Sequence, residues 1–259
     1  SHGLALQALR ADGSCGNLGI VLNLGHVESA SDSPEDRAAA NEADAWGRRW
    51  YLDPLFKGGY PQEFLESLGK DMPQIGAGDM ASIATPMDHL GVNYYTRSVC
   101  RAREPFDVAS SGLELTDMRW EVYPSGLTQL LRMLARDYRV PPIWITENGA
   151  AFQDHLEHGR VHDARRVAYL ESHVAAVADA LDQGVPVAGY MVWSLMDNFE
   201  WASGYAKRFG IVHVDYPTQT RTLKDSAYWY RQFLCEIARG RESQDPLARL
   251  QPDQSPLEA

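Results

Sequence analysis

The stretch PPIWITENGAAF, residues 141–152, sets the terms on which the rest of the chain is read. Pro142-Ile143-Trp144-Ile145 is apolar and β-prone, and it runs directly into Thr146-Glu147-Asn148-Gly149. A short, continuous apolar run is the pattern of a strand buried on both faces, as in a parallel sheet. Three other segments repeat it: NLGIVLNL (17–24), DHLGVNYY (88–95) and VAGYMVWS (187–194). A helical pattern follows each one. Ser33-Pro34-Glu35-Asp36 opens an N-capped acidic helix to about Trp50, with Pro at its first position. Pro124-Ser125-Gly126 leads into LTQLLRMLARDY. His162-Asp163 leads into a long helix that Gly184 closes as a C-cap, and Thr222-Leu223-Lys224-Asp225 leads into SAYWYRQFLCEIARG. Strand then helix, four times over, predicts an α/β architecture with a parallel sheet.

The connections are lopsided. Strand-to-helix links are long (25–33, 96–123, 148–162, 195–223), whereas the returns Arg139-Val140-Pro141 and Gln183-Gly184-Val185-Pro186 are short. Long loops after the C-terminal ends of strands are where a (β/α)8 TIM barrel keeps its active site. Such a barrel takes roughly 250 residues, and the chain has 259, yet only four βα units are legible. Either four strands are hidden in the loops, or the chain is half a barrel. Ser1-His2-Gly3 leads straight into what reads as the middle of a helix, which suggests a start partway through a domain. One domain is expected over 1–241, followed by a polar, Pro-containing tail at 242–259 that reads as disordered.

Composition narrows the function. Hydrophobic residues make up 44% and charged residues 23%, the balance of a globular protein with a sizeable core. A net charge of −11 argues against nucleic acid or an anionic membrane surface as partner. No run approaches a membrane span, and nothing resembles a signal peptide. Cys15, Cys100 and Cys235 are odd in number and far apart, so they read as buried, inert thiols of a reducing, cytoplasmic protein. There is no GxGxxG, P-loop or GxSxG motif, so no cofactor is expected. His155 and His158 share a loop with no legible third ligand, so no metal site is expected either.

Read residue by residue, the strand ends are ambiguous. Glu147 reads equally as a catalytic carboxylate at a barrel mouth or as a surface glutamate. In Asn93-Tyr94-Tyr95, alternation puts Asn93 and Tyr95 on one face, where a phenol can orient a carboxylate; the plainer reading is two core tyrosines. The run Trp193 to Trp201 (WSLMDNFEW) combines two tryptophans with a carboxylate and an amide. A pyranose is apolar on its faces and polar at its rim, so this set suits a sugar; the plainer reading is an apolar loop on the barrel rim. Trp120 reads as a pocket wall or as a staple at the helix entry.

The order of ITENG, LGVNYY, WEVYPSGL and VWSLMDNFEW, followed by GYAKRFGIVHVDY, resembles glycoside hydrolase family 1, the β-glucosidase family, over essentially residues 1–240. ASDSPEDRAAANEADAW and WYLDPLFKGGYP resemble the segment after that family's fifth strand. The resemblance implies the last four βα units of a (β/α)8 barrel and a retaining β-glycosidase. It implies Glu147 as nucleophile and Tyr95 as its hydrogen-bond partner. It implies sugar or aglycone contacts from Asn93, Trp120, Trp193, Glu200, Trp201 and Phe209. Glu200 further implies unphosphorylated sugars, since a carboxylate repels a phosphate. The family's TxNEP motif, which carries the acid/base Glu, does not occur in the chain. Gly25-His26-Val27-Glu28-Ser29 also departs from the Pro or aromatic that relatives often carry there. The implied partners are therefore a β-glucoside or related β-glycoside, and either an N-terminal barrel half or a second copy. The alternative is a catalytically incomplete fragment or a non-enzymatic glycoside-binding half-barrel.

Overall fold

The computed structural model describes residues 1–13 and 16–244. In chain order its first elements are α1 (His2–Ala11), β1 (Gly19–Asn23), β2 (His26–Ser29), α2 (Pro34–Asp44), a π-helical turn (Ala45–Arg49), α3 (Trp50–Phe56), α4 (Gln62–Leu68) and α5 (Asp79–Ile83). Then come β3 (His89–Asn93), β4 (Arg97–Cys100), α6 (Pro124–Asp137), β5 (Ile143–Glu147), β6 (Leu156–Glu157) and β7 (Arg160–Val161). The last are α7 (Ala164–Asp182), β8 (Val187–Tyr190), β9 (Val212–Val214), β10 (Arg221–Leu223) and α8 (Asp225–Gln244).

The four expected strands form one parallel sheet in the order β1-β3-β5-β8. The register sets Asn23 beside Asn93 and Asn93 beside Glu147, so the C-terminal ends of three neighbouring staves meet at one level. Helix signals hold at their ends. Ser33 Oγ accepts from the Asp36 N–H at 3.1 Å, with Pro34 opening α2. Gly184, at φ +80°, ends the α7 segment. The helix expected to stop near Trp50 instead passes through the π turn and continues to Phe56.

The main core lies between the sheet's outer face and the helices. Leu22, Leu90, Val92, Tyr94, Ile143 and Ile145 pack there with Leu127, Leu130, Leu131 and Leu134 of α6 and Ala176, Val177 and Ala180 of α7. One expectation is corrected. The staves are buried on one face, not both: Val21 is 48% exposed, Trp144 36% and Met191 46%. Four staves cannot close a barrel, so residues that would face opposite staves face solvent. Small residues serve this inner face at close approaches. A Cβ on Gly189 would lie 2.4 Å from the Trp144 ring.

The loops hold strands that the pattern did not show. β2 and β4 pair in parallel just beyond β1 and β3, and β9 and β10 form an antiparallel pair near the start of α8. Cys235 is exposed and Cys100 half-buried, so the reading of buried thiols fails for Cys235, which sits on an outward position of α8. Cys15 lies outside the described residues, as do positions 245–259 of the expected tail; α8 itself runs to Gln244. No described helix is long and apolar enough to cross a membrane.

Candidate active site

The site builds from the end of β5. Glu147 is the last residue of that strand, and the Tyr94 N–H donates to its carbonyl at 2.9 Å. This bond ties the end of β3 to the end of β5 and fixes which way the next side chains point. Tyr94 turns into the core, fully buried, and donates its hydroxyl to the Tyr123 carbonyl at 2.7 Å. Tyr95, one residue on, turns to the other face and donates to Glu147 Oε2 at 2.5 Å. Burial, then the hydrogen bond to Glu147 and the charges of Glu147 and Glu200, push the Tyr95 phenol far above its ordinary range. It is therefore a permanent donor to Glu147. Asn93 is half-buried beside the pair, and its Oδ1 accepts from the Thr146 hydroxyl at 2.7 Å.

Trp120 and Phe209 complete an aromatic group around Tyr95. Ring centroids lie 5.4 Å apart for Tyr95 and Trp120, 6.1 Å for Tyr95 and Phe209, and 6.2 Å for Trp120 and Phe209. Phe209 is 2% exposed and supports the other two rings from behind. Trp120 is held by a tight turn in which Thr116 N–H donates to the Trp120 carbonyl at 2.8 Å. Its neighbour Glu121 is buried and chelated by Arg97, at 2.6 Å from Nε and 3.1 Å from Nη2. Burial opposes the Glu121 charge, but Arg97 holds its carboxyl below the ordinary range, so Glu121 is a fixed anion in a structural pair. A cavity of about 340 Å³ opens beside Tyr95 and Trp120, lined further by Asn23, Val27, Gly47 and Arg48.

The loop after β8 brings the remaining residues. Trp193 is half-buried; its N–H donates to the Asn148 carbonyl at 2.9 Å, and its peptide bond to Ser194 is cis. Glu200 is half-buried, and burial followed by the Glu147 charge pushes its carboxyl up. The Glu147 charge thus bears on Glu200. Trp201 is the outlier. It is 82% exposed with φ +39° and touches none of the other rings.

Two features escaped the sequence reading. Asn148 is fully buried. Its amide donates to the Tyr94 carbonyl at 2.8 Å and the Tyr169 hydroxyl at 3.1 Å, and its Oδ1 accepts from the Tyr190 hydroxyl at 2.6 Å. It staples three staves together rather than facing a ligand. Gly149 follows because a Cβ there would lie 1.7 Å from the Trp193 carbonyl oxygen. Asp197, in the same run as Glu200, is 4% exposed and bonded to Lys224 and Arg208. Neither partner lies near it in sequence, so no local signal announces the network. Among the described residues no cluster of three or more His, Cys, Asp or Glu could hold a metal ion.

The sequence model of "Glycosyl hydrolase family 1" matches residues 1–237. Beta-glucosidase A of Thermotoga maritima is 41% identical over 236 residues, covering 89% of this chain and 53% of the relative. A beta-glucosidase of Agrobacterium sp. is 40% identical over 253 residues, covering 93% and 54%. Among solved structures, a family 1 β-glucosidase from Exiguobacterium antarcticum B7 superposes with a TM-score of 0.85 at 40% identity, covering 95% of this chain and 56% of that one. The Thermotoga maritima enzyme in complex with glucoimidazole gives a TM-score of 0.85 at 40% identity, covering 90% and 54%. The chain spans about half the length of the relatives it matches.

Proposed function

Since the chain belongs to glycosyl hydrolase family 1, we propose that it carries the nucleophile side of a retaining β-glycosidase site for unphosphorylated β-glucosides. The observation that carries this is the Tyr95–Glu147 hydrogen bond at the mouth of a partial barrel, with Glu200 electrostatically coupled to the same carboxylate. In the first step a Glu147 oxygen bonds to the anomeric carbon as the bond to the leaving group breaks. The leaving oxygen takes its proton from an acid/base carboxyl that an N-terminal barrel half supplies. In the second step the same group, now a base, takes a proton from water, and the water oxygen displaces Glu147.

Tyr95 keeps Glu147 in one orientation, because its phenol stays protonated and gives its one hydrogen to the carboxylate. Trp193 offers a face to the pyranose. Glu200 accepts hydroxyl hydrogens at the sugar's rim, Trp201 adds to that contact, and Asn93 bonds a hydroxyl near the reacting carbon. Trp120, backed by Phe209, walls the leaving-group side.

Retention by this route needs two carboxyl groups about 5–5.5 Å apart. Glu200 is committed to the sugar, so the chain alone takes up a sugar only from a glycoside whose leaving group departs unprotonated. The test is mass spectrometry after incubation with a 2-deoxy-2-fluoro-β-glucoside bearing a dinitrophenolate, with and without a family N-terminal half. The expected result is one added sugar on the peptide containing Glu147 when the halves are together. A folded complex that stays unlabelled, or is labelled elsewhere, removes the nucleophile assignment.

A further inference from the structure

Behind the site lies a network of six charged groups, three of each sign: Asp154, Asp163 and Asp197 with Arg166, Arg208 and Lys224. Their side chains are at most 1% exposed apart from Arg208, at 22%. Lys224, at the start of the α8 segment, donates from Nζ to Asp154 Oδ2 at 2.5 Å and to Asp197 Oδ1 at 2.8 Å. Asp154 sits on the loop that leaves Glu147, and Asp197 precedes Glu200 by three residues on the loop that leaves β8.

Each aspartate has a partner of its own. Arg166 grips both Asp154 oxygens at 3.0 Å. Arg208 and the Val214 N–H donate to Asp197 Oδ2 at 2.5 and 3.3 Å, and the Gly210 N–H donates to Oδ1 at 3.1 Å. Neither carboxylate therefore depends on Lys224 alone for its charge. What Lys224 adds is the connection: among the described residues no other side chain bonds both Asp154 and Asp197. Arg166 reaches toward the second loop only through the Arg208 carbonyl, at 2.8 Å.

We infer that Lys224 is a positioning residue: by clamping the two loops to one ammonium, it sets where Glu200 stands relative to Glu147, and hence how tightly the sugar rim is held. This rests on the proposed roles of those two glutamates. A residue that acts this way changes sugar affinity more than the rate of the bond-making step, and it does so through Glu200.

The test uses the chain assembled with an N-terminal half and follows Glu147 labelling against reagent concentration. Lys224→Met alone leaves a surplus buried negative charge and can fail to fold. The charge-balanced pair Lys224→Met with Asp154→Asn cuts the bridge while Arg166–Asp163 and Arg208–Asp197 keep their partners. The expected result is a half-saturating concentration raised about 10- to 100-fold, the worth of one hydrogen bond to a charged group. The maximal labelling rate should stay within about threefold, less than such a bond is worth. In a Glu200→Gln background the same pair should add almost nothing, since coupled groups are not additive. Full additivity with Glu200→Gln, or a fall in maximal rate at unchanged half-saturation, overturns the inference. An unmutated assembly that fails to label overturns the nucleophile reading, and this inference with it.

Discussion

Glu147 has two neighbours of different kinds. Tyr95 donates a hydrogen bond to the carboxylate, while Glu200 brings a like charge toward it. The phenol was legible from alternation in Asn93-Tyr94-Tyr95, because a strand end fixes which side chain faces the mouth. Removing it tests how much of the carboxylate's reactivity is orientation. Tyr95→Phe should slow Glu147 labelling by about 10- to 100-fold, since a hydrogen bond to a charged group is worth about 1.5–3 kcal/mol. The fold should survive, as Trp120 and Phe209 still pack on the ring. Glu200 gives a separate readout. Its carboxyl is raised by burial and then by Glu147, so Glu147→Gln should bring it partway back toward the ordinary carboxylate range. A 13C-glutamate titration by NMR shows this directly, and an unchanged Glu200 midpoint would mean the two carboxylates do not interact. In the unmutated protein, glycoside affinity should fall as pH drops through the raised Glu200 value, because the protonated carboxyl loses acceptor capacity.

Between elements, the legible part and the hidden part divide by range of interaction. The four staves and their helices were readable because each announces itself locally, through an apolar run, an N-cap such as Ser33 or a terminating glycine such as Gly184. β2 and β4 were not, because HVES and RSVC are polar and gain strand geometry only by pairing with each other. Asn148 gave no local signal of its role, although it follows Glu147 directly. Its partners Tyr94, Tyr169 and Tyr190 come from three other elements. Asn148→Ala should cost about 2–4 kcal/mol in urea unfolding, since it strands buried polar groups worth about 1–3 kcal/mol each. His173 of α7 is a second hidden group. It is fully buried, stacks on Tyr169 with centroids 3.9 Å apart and faces the Tyr169 carbonyl through Nδ1 at 2.8 Å. Burial lowers its pKa to about 4 from 6.5. The unfolded chain therefore takes up a proton near pH 6.5 that the folded one refuses until about 4. Stability should fall across that window by ~3 kcal/mol as pH drops. His173→Leu should flatten that part of the stability curve, as measured by urea midpoints at pH 7 and pH 4.5.

For the whole molecule, the same sheet that builds the site leaves a problem of surface. β1 and β8 are its two edges, and among the described residues neither pairs with a further strand on its outer side. Its inner face exposes Val21, Trp144 and Met191 while the outer face is packed. Free edges and an apolar concave face are what closed barrels remove. The two edges also point the same way along the strands, so any segment that completes the ring must present staves parallel to these. The proposed N-terminal barrel half would do so, and so would a second copy turned about the barrel axis, which would set its β1 against this chain's β8. The two differ in consequence, because a second copy can add only side chains this chain already holds, such as another Glu147. Sedimentation velocity of the chain alone should show self-association at micromolar concentration. An N-terminal half should convert that material to a one-to-one complex, because it satisfies both edges and also fills the inner face with its own side chains. Trp144 reports the change from within. Its emission, taken as the difference from Trp144→Phe, should shift to shorter wavelength when either partner covers the inner face. Val21→Lys with Met191→Lys should weaken both associations, since two ammonium groups would then lie in the covered interior. A chain that stays monomeric with a solvent-exposed Trp144 in the presence of the N-terminal half would show that the inner face is not where the barrel is completed.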